Sequence, residues 1–213
     1  MTIIDVPQRS DEWFAARLGR VTGSRAKDVI ATIKSGEAAA RRDYRLELVV
    51  ERLTNRRDDD GFVSKDMQRG TDLEPDAFAA YEAVTGNMVR RTGFVQSDEL
   101  MAGCSLDGDV AGMVGIVEIK CPKSATHFGY IKSGDIPSNH VPQMVHNLWI
   151  TGASWCDFVS YDDRFPEGLQ LVVLRYHRVE AVIADYAAKV REFLAEVDRD
   201  EATARERIKA KVA

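Results

Sequence analysis

The sequence predicts an α/β fold: a mixed central β-sheet flanked by helices, with helices leading into the sheet and a long helix closing the chain. Three observations carry this. Strand-like apolar runs cluster between positions 88 and 120 and again between 155 and 176. Segments with helical apolar spacing precede, separate and follow them. The 213 residues are 45% hydrophobic and 30% charged, enough for one sizeable core, so a single domain over residues 1–213 is expected.

Ser10-Asp11-Glu12 supplies a cap and an acidic first turn for a short helix ending near Leu18-Gly19. A second helix is expected from about Ser24 to Ile30. A third runs from Glu37 to Thr54, with Leu46, Val49, Val50 and Leu53 on its apolar face. The stretch from Arg56 to Gly61 reads as a loop. Its Asp58-Asp59-Asp60 run lacks the other ligands of a calcium loop and is expected to be solvated. A helix follows over Leu73 to Val84, with Pro75 in its first turn. Strands are expected over Met88 to Gln96, Met101 to Leu106 and Val114 to Lys120, with Asp107 to Gly112 as the turn between the last two. A short helix near His127 comes next, then one opened by Pro142 and reaching Ile150. Strands over Trp155 to Tyr161 and Leu169 to Tyr176 and a charged helix from about Ala181 finish the chain.

Composition limits the function. No run of eighteen apolar residues is present, so no membrane span is expected, and the acidic N-terminus is unlike a secretion signal. A cytoplasmic protein is expected. Cys104, Cys121 and Cys156 are odd in number and form no C-x-x-C pair, which argues against a disulfide framework, a zinc ribbon or an iron–sulfur cluster. They read as reduced, mostly buried thiols. Net charge is −5 with pI near 5.5, which does not advertise nucleic-acid binding. Residues 17–57 nevertheless carry eleven Lys/Arg against five Asp/Glu. Such a segment is either a phosphate-binding face or a set of solvated helix faces, and composition alone favours the second.

The chemistry gathers around Ser105-Leu106-Asp107-Gly108 and Val117-Glu118-Ile119-Lys120. Glu118 and Lys120, two apart on a strand, share one face, while Val117, Ile119 and Cys121 take the other. So apolar a strand is central, and charges there cost several kcal/mol unless paired or bound to an ion. A Mg²⁺ ion, which takes oxygen ligands, meets that need through Asp107, Glu118 and the backbone carbonyl of Ile119. Lys120 is then placed to steady the attacking hydroxide. Asp109 is the alternative to Asp107. The bland alternative for the set is a buried Glu–Lys pair beside a tight turn. Glu74 is placed to reach a second cation, or is simply an acid near a helix N-terminus. Gln143 is a candidate for holding water or phosphate. Arg17, Ser24 and Ser105 are candidate phosphate donors. The four histidines lack metal-ligand spacing and suit ordinary polar roles. Trp13, Trp149 and Trp155 are expected in the core.

Five segments together resemble the lambda exonuclease and YqaJ-like viral recombinase family: E-W-F-A-A-R-L-G at Glu12 to Gly19 with V-T-G-S at Val21 to Ser24, R-G-T-D-L-E-P-D-A at Arg69 to Ala77, C-S-L-D-G at Cys104 to Gly108, V-E-I-K-C-P at Val117 to Pro122, and Q-M-V-H-N-L-W-I-T at Gln143 to Thr151. The resemblance implies a PD-(D/E)XK restriction-endonuclease-like core. It implies metal carboxylates at Asp107 and Glu118, the catalytic lysine at Lys120, the acid preceding the sheet at Glu74 and the helix glutamine at Gln143. It places Arg17, Ser24 and Ser105 in a pocket for the DNA 5′-phosphate. The implied cofactor is Mg²⁺, with Mn²⁺ as a substitute. The implied activity is 5′-to-3′ degradation of one strand of duplex DNA ends by a ring-shaped homotrimer, beside a single-strand annealing protein, in a bacterial or phage-infected cell. Leu106, Val145 and His140 depart from the family's usual proline, second glutamine and tyrosine. Competing expectations are a restriction-type endonuclease, a RecB-like nuclease domain, and a non-catalytic DNA-end-binding protein of the same fold.

Overall fold

A computed structural model describes residues 1–57 and 64–212; the expected Asp58-Asp59-Asp60 loop lies outside the described residues. In chain order the elements are β1 (Thr2–Ile4), α1 (Asp11–Arg17), β2 (Val21–Thr22), a 3-10 turn (Gly23–Arg25), α2 (Ala26–Val29), α3 (Ala39–Thr54), α4 (Lys65–Thr85), β3 (Val89–Arg90), β4 (Phe94–Gln96), β5 (Ala102–Ser105), β6 (Gly108–Val110), β7 (Gly115–Lys120), α5 (Ser124–Ser133), α6 (Val141–Thr151), β8 (Trp155–Tyr161), β9 (Leu171–His177) and α7 (Glu180–Val212). Ser10 caps α1 as expected, its hydroxyl accepting from the Trp13 amide at 3.2 Å.

The strands form two mixed sheets where the sequence suggested one. Their orders are β1-β4-β5-β2 and β3-β6-β7-β8-β9. The run expected as one strand over Met88 to Gln96 divides between the sheets, and so do the expected strand ending at Leu106 and the stretch that follows it. The chain leaves β3 and enters β4 through Arg91-Thr92-Gly93, and leaves β5 and enters β6 through Leu106-Asp107. The stretch expected as a turn therefore contains strand β6, which pairs antiparallel with β7. Gly93 suits its crossing because a Cβ there would collide with the Ile4 carbonyl oxygen. Gln8 clamps both crossings: its Nε2 donates to the carbonyls of Thr92 at 3.2 Å and Leu106 at 2.6 Å. The sharp re-aiming of the chain at Asp107 is thus fixed by a side chain about a hundred residues earlier.

Strand β7 is interior, flanked by β6 and by the parallel strand β8. Its alternation holds. Ile116 enters a core built from α2, α3, α6, α7 and the first sheet, while Val117 and Ile119 enter a second cluster with Ala77, Phe78 and Tyr81 of α4. Helix α4 starts at Lys65, well before the expected Leu73. Pro75 has no N–H to donate, and the helix runs through it instead of beginning there.

Helix α3 buries Tyr44, Leu48 and Val49, whereas Leu46 and Val50 are exposed. Of the expected face, Val49 is buried and Leu53 packs against the core, while Leu46 and Val50 face solvent; Tyr44 and Leu48, four apart, complete the side that packs inward. The arginines of α3 mostly meet carboxylates of helix α7. Arg41 pairs with Glu196 at 2.6 Å, Arg52 with Asp198 at 2.7 Å, and Arg45 with Asp200. Much of the basic segment is therefore neutralised within the fold. Among the described residues no helix is long and apolar enough to cross a membrane.

Leu48→Ala is expected to lower unfolding free energy by about 2–5 kcal/mol, the usual range for emptying a core leucine site. Leu46→Ala is expected to change it by less than about 1 kcal/mol. Urea unfolding checks both, and equal losses would contradict the orientation of α3.

Candidate active site

The centre of the site is Glu118, 1% exposed on interior strand β7. One oxygen accepts from the Lys120 ammonium and the other from Asn147 Nδ2 at 3.2 Å. Asp107, at the crossing between the sheets, accepts from the Ile119 amide at 2.6 Å. That bond fixes its carboxylate against the same strand. Asp109, the alternative acid, is held elsewhere: it accepts from Thr92 Oγ1 at 2.6 Å and Arg90 Nε at 3.0 Å.

Burial pushes Glu118 up to about 7, with Lys120 opposing and the Asp107 charge adding to the rise. Asp107 is raised by burial and drawn back by Lys120. Burial works against the Lys120 charge, but Glu118 and Asp107 outweigh it and hold the ammonium protonated. Glu74, on α4, is half-buried; burial raises it first and the Asp107 charge second.

Three clefts surround this centre. The first, of 480 Å³, is lined by Glu74, Asp107, Gln8, Arg9 and Arg91. The second, of 220 Å³, holds Lys120, Gln143, Ser24, Lys27 and His140. The third, of 710 Å³, holds Arg17, Ser24, Arg20, Arg57, Trp13 and Tyr44. Arg17 donates to Ser105 Oγ at 2.8 Å, and Ser24 lines both the second and third clefts. The expected residues are thus brought together in two groups, joined through Ser24 and through Ser105, two residues before Asp107. Glu74 shares the first cleft with Asp107, but among the described residues no three His, Cys, Asp or Glu side chains converge into one cluster.

The donor set suits a hard divalent cation. Asp107, Glu118 and the Ile119 carbonyl offer oxygen only, and a carboxylate whose proton affinity the Asp107 charge raises gains from a nearby positive charge. The buried Asn147 Oδ1 has no hydrogen-bond partner, so polar capacity at the site exceeds what the chain itself satisfies.

Residues 12–154 match the model of the YqaJ-like viral recombinase domain, a span that contains every candidate residue named above from Arg17 to Gln143. The chain belongs to the YqaJ-like viral recombinase family. Among solved structures it is similar to an alkaline exonuclease, LHK-Exo, from Laribacter hongkongensis, with 41% identity over 96% of this chain and 100% of that one and a TM-score of 0.86. The same figures hold for LHK-Exo in complex with dAMP. A phage-related exonuclease from Haemophilus somnus 129PT shares the fold at 15% identity, over 87% of this chain and 96% of that one, with a TM-score of 0.67. Comparison with curated proteins finds no match.

Within this YqaJ-like domain, sequence reasoning missed Asn147. The signal was present, since Asn147 lies four residues after Gln143 and so on the same side of α6. Gly23 lets it approach, because a Cβ there would collide with Asn147 Oδ1. Trp13 was assigned to the core, yet it lines the Arg17 cleft with its ring 4.2 Å from the guanidinium. Trp149 and Trp155 pack against the cores as expected. His127 and His146 are fully buried. The first bonds Ser160 Oγ at 2.7 Å and the Leu169 carbonyl at 2.8 Å, the second Tyr186 Oη at 2.8 Å and the Gly103 carbonyl at 2.9 Å. Cys104 and Cys156 are buried and Cys121 is half-buried, all three free thiols.

Folding takes up a proton at Glu118 between its ordinary 4.5 and its folded value of about 7. The contribution to stability is complete below about pH 4.5 and is lost as pH rises through about 7. In chelator, wild-type unfolding free energy should fall more steeply across that window than that of Glu118→Gln. Parallel curves from urea unfolding at several pH values would contradict the raised proton affinity.

Proposed function

We propose that this YqaJ-like protein is a Mg²⁺-dependent exonuclease. It degrades one strand of linear duplex DNA from the 5′ end and leaves a 3′ single strand for annealing-based recombination. The observation that carries the reading is the constellation of Glu118 and Lys120 on β7 with Asp107 held against that strand, in a chain 41% identical over 96% of its length to an alkaline exonuclease. Asp107, Glu118 and the Ile119 carbonyl are the residues that would hold Mg²⁺ or Mn²⁺, and Glu74 is the candidate for a second ion. When bound, the cation neutralises phosphate charge and makes water more acidic.

The chain's own groups do the rest. Lys120, with 30% of its side chain exposed, presents an ammonium at the mouth of the buried pair. There it orients the attacking water against the phosphorus and screens charge developing on the phosphoryl oxygens. Gln143, beside Lys120, supplies an amide donor to the phosphate. Arg17, Ser105 and Ser24 form the pocket for the terminal 5′-phosphate. A monoester there carries more negative charge than an internal diester, and a guanidinium fixed by Ser105 and Trp13 exploits that difference. A closed homotrimer and an annealing-protein partner, in a bacterial or phage-infected cytoplasm, complete the proposal by family likeness.

The test is digestion of end-labelled linear duplex with Mg²⁺ or with EDTA, beside a closed circle. Loss of the linear strand from its 5′ end, only with Mg²⁺ and without nicking of the circle, is expected; cutting of the circle would favour the restriction-type reading. Lys120→Ala should reduce turnover by about 10²-fold or more while leaving duplex binding largely intact. Residual turnover within about tenfold of wild type removes Lys120 from the mechanism.

Arg17→Ala should narrow the preference for 5′-phosphorylated over 5′-hydroxyl ends. Matched duplexes differing only at that phosphate measure it. Full retention of the preference by the variant would dismiss the pocket and leave the metal centre standing.

A further inference from the structure

Gln8 holds the two sheet crossings together, and the next residue, Arg9, lies in the left-handed region at φ 71°. Glycine adopts that conformation freely, whereas an L-residue with a Cβ is strained there. Arg9 is nonetheless a long cationic side chain. It is exposed, makes no ion pair among the described residues, and lines the 480 Å³ cleft that contains Glu74 and Asp107. Arg91 lines the same cleft at 3.8 Å from Glu74, its guanidinium 4.9 Å from the Phe78 ring. Two guanidiniums thus stand beside the carboxylates, at a place where the backbone would be easier to form with glycine. A strained residue kept at an active-site cleft points to a ligand for its side chain.

The second and third clefts share Ser24, and the first adjoins the second where Lys120 feels the charges of both Glu118 and Asp107. Arg17 connects through Ser24 to Lys120, Lys120 through Glu118 to the Asp107 region, and Asp107 to Arg9 and Arg91. The Arg17 end is already assigned to a terminal phosphate. A strand laid across Lys120 must continue past Asp107, where its next charged group meets Arg9.

We infer that Arg9, with Arg91 beside it, binds a backbone phosphate of the DNA adjacent to the one being cleaved. The inference rests on the exonuclease reading and adds to it the far end of the strand's path. A guanidinium offers a phosphate two parallel hydrogen bonds, which a lysine ammonium does not. Phosphate contact carries no sequence information, so the Arg9 end is expected to position the strand without selecting bases.

The experiment is fluorescence anisotropy of a 5′-phosphorylated duplex in a Lys120→Ala background, between about 50 and 200 mM salt. Arg9→Gly should raise Kd several-fold at the lower salt and make the log Kd against log salt slope shallower by about 0.9, one phosphate contact. The same variant should melt at a temperature no lower than its parent, since glycine relieves the left-handed position. Arg9→Lys should keep the salt slope and lose part of the affinity. An Arg9→Gly protein with unchanged affinity and slope overturns the inference, and so does a loss of affinity accompanied by a lower melting temperature. A wild-type protein that digests duplex ends while Arg9→Gly binds normally separates this failure from that of the exonuclease reading. Absence of both binding and digestion in wild type overturns the two together.

Discussion

Glu118 is a carboxylate at 1% exposure in the middle of an interior strand, and its neighbours must answer for that charge. Lys120, two residues on, supplies the countercharge, and Asn147 on α6 supplies the second hydrogen bond. Strand alternation makes the first contact automatic; the packing of α6 across Gly23 makes the second. Asp107 joins them only because the chain changes sheets at that point, a crossing held by Gln8 from the N-terminal segment. The position of the second carboxylate therefore depends on contacts far from it in sequence. Two neighbouring carboxylates and one lysine leave the buried centre short of positive charge, which is the condition a divalent cation relieves.

The same logic explains how a protein of net charge −5 presents a face for phosphates. The arginines of α3 are spent on Glu37, Glu196, Asp198 and Asp200, holding α3 to α7. Such part-exposed pairs each contribute about 0–1 kcal/mol, so their effect is more on placement than on stability. Arg25 is likewise taken by Asp28 and Glu47. Positive charge near the site is local: Arg17 over Trp13 and against Ser105, Lys120 on Glu118, and Arg9 with Arg91, the latter 3.8 Å from Glu74. Charge near the reacting atoms, not the overall balance, makes the acidic chain fit for a polyanion.

Much of this was legible in the sequence where local rules decide. The two-residue spacing of Glu118 and Lys120 on an apolar strand fixes which face they share, and Ser10 with its following acids marks a helix start. Arg17, Ser24 and Ser105 were named from motif likeness, and the fold sets Arg17 on Ser105. Long-range choices were not legible. Nothing local distinguishes a strand from a pair of short strands in different sheets, so the sequence merges β3 with β4 and reads β6 as part of a turn. Pro75 looks like a helix start, but α4 carries it inside because burial of Ala77, Phe78 and Tyr81 against β7 holds the helix across the missing bond. Leu46 and Val50 are apolar and correctly spaced, yet Tyr44 and Leu48 pack inward, since the partner surfaces on α2 and α7 decide the face.

The central claim is that the charge deficit around Glu118 and Asp107 is filled by a divalent cation. Anomalous diffraction from crystals soaked in Mn²⁺ locates such an ion directly. The account expects one peak within about 2.0–2.4 Å of oxygens from Asp107, Glu118 and the Ile119 carbonyl, absent in crystals of Asp107→Asn. A structure at saturating Mn²⁺ with no peak there, and with Lys120 still the sole cation on Glu118, would contradict it.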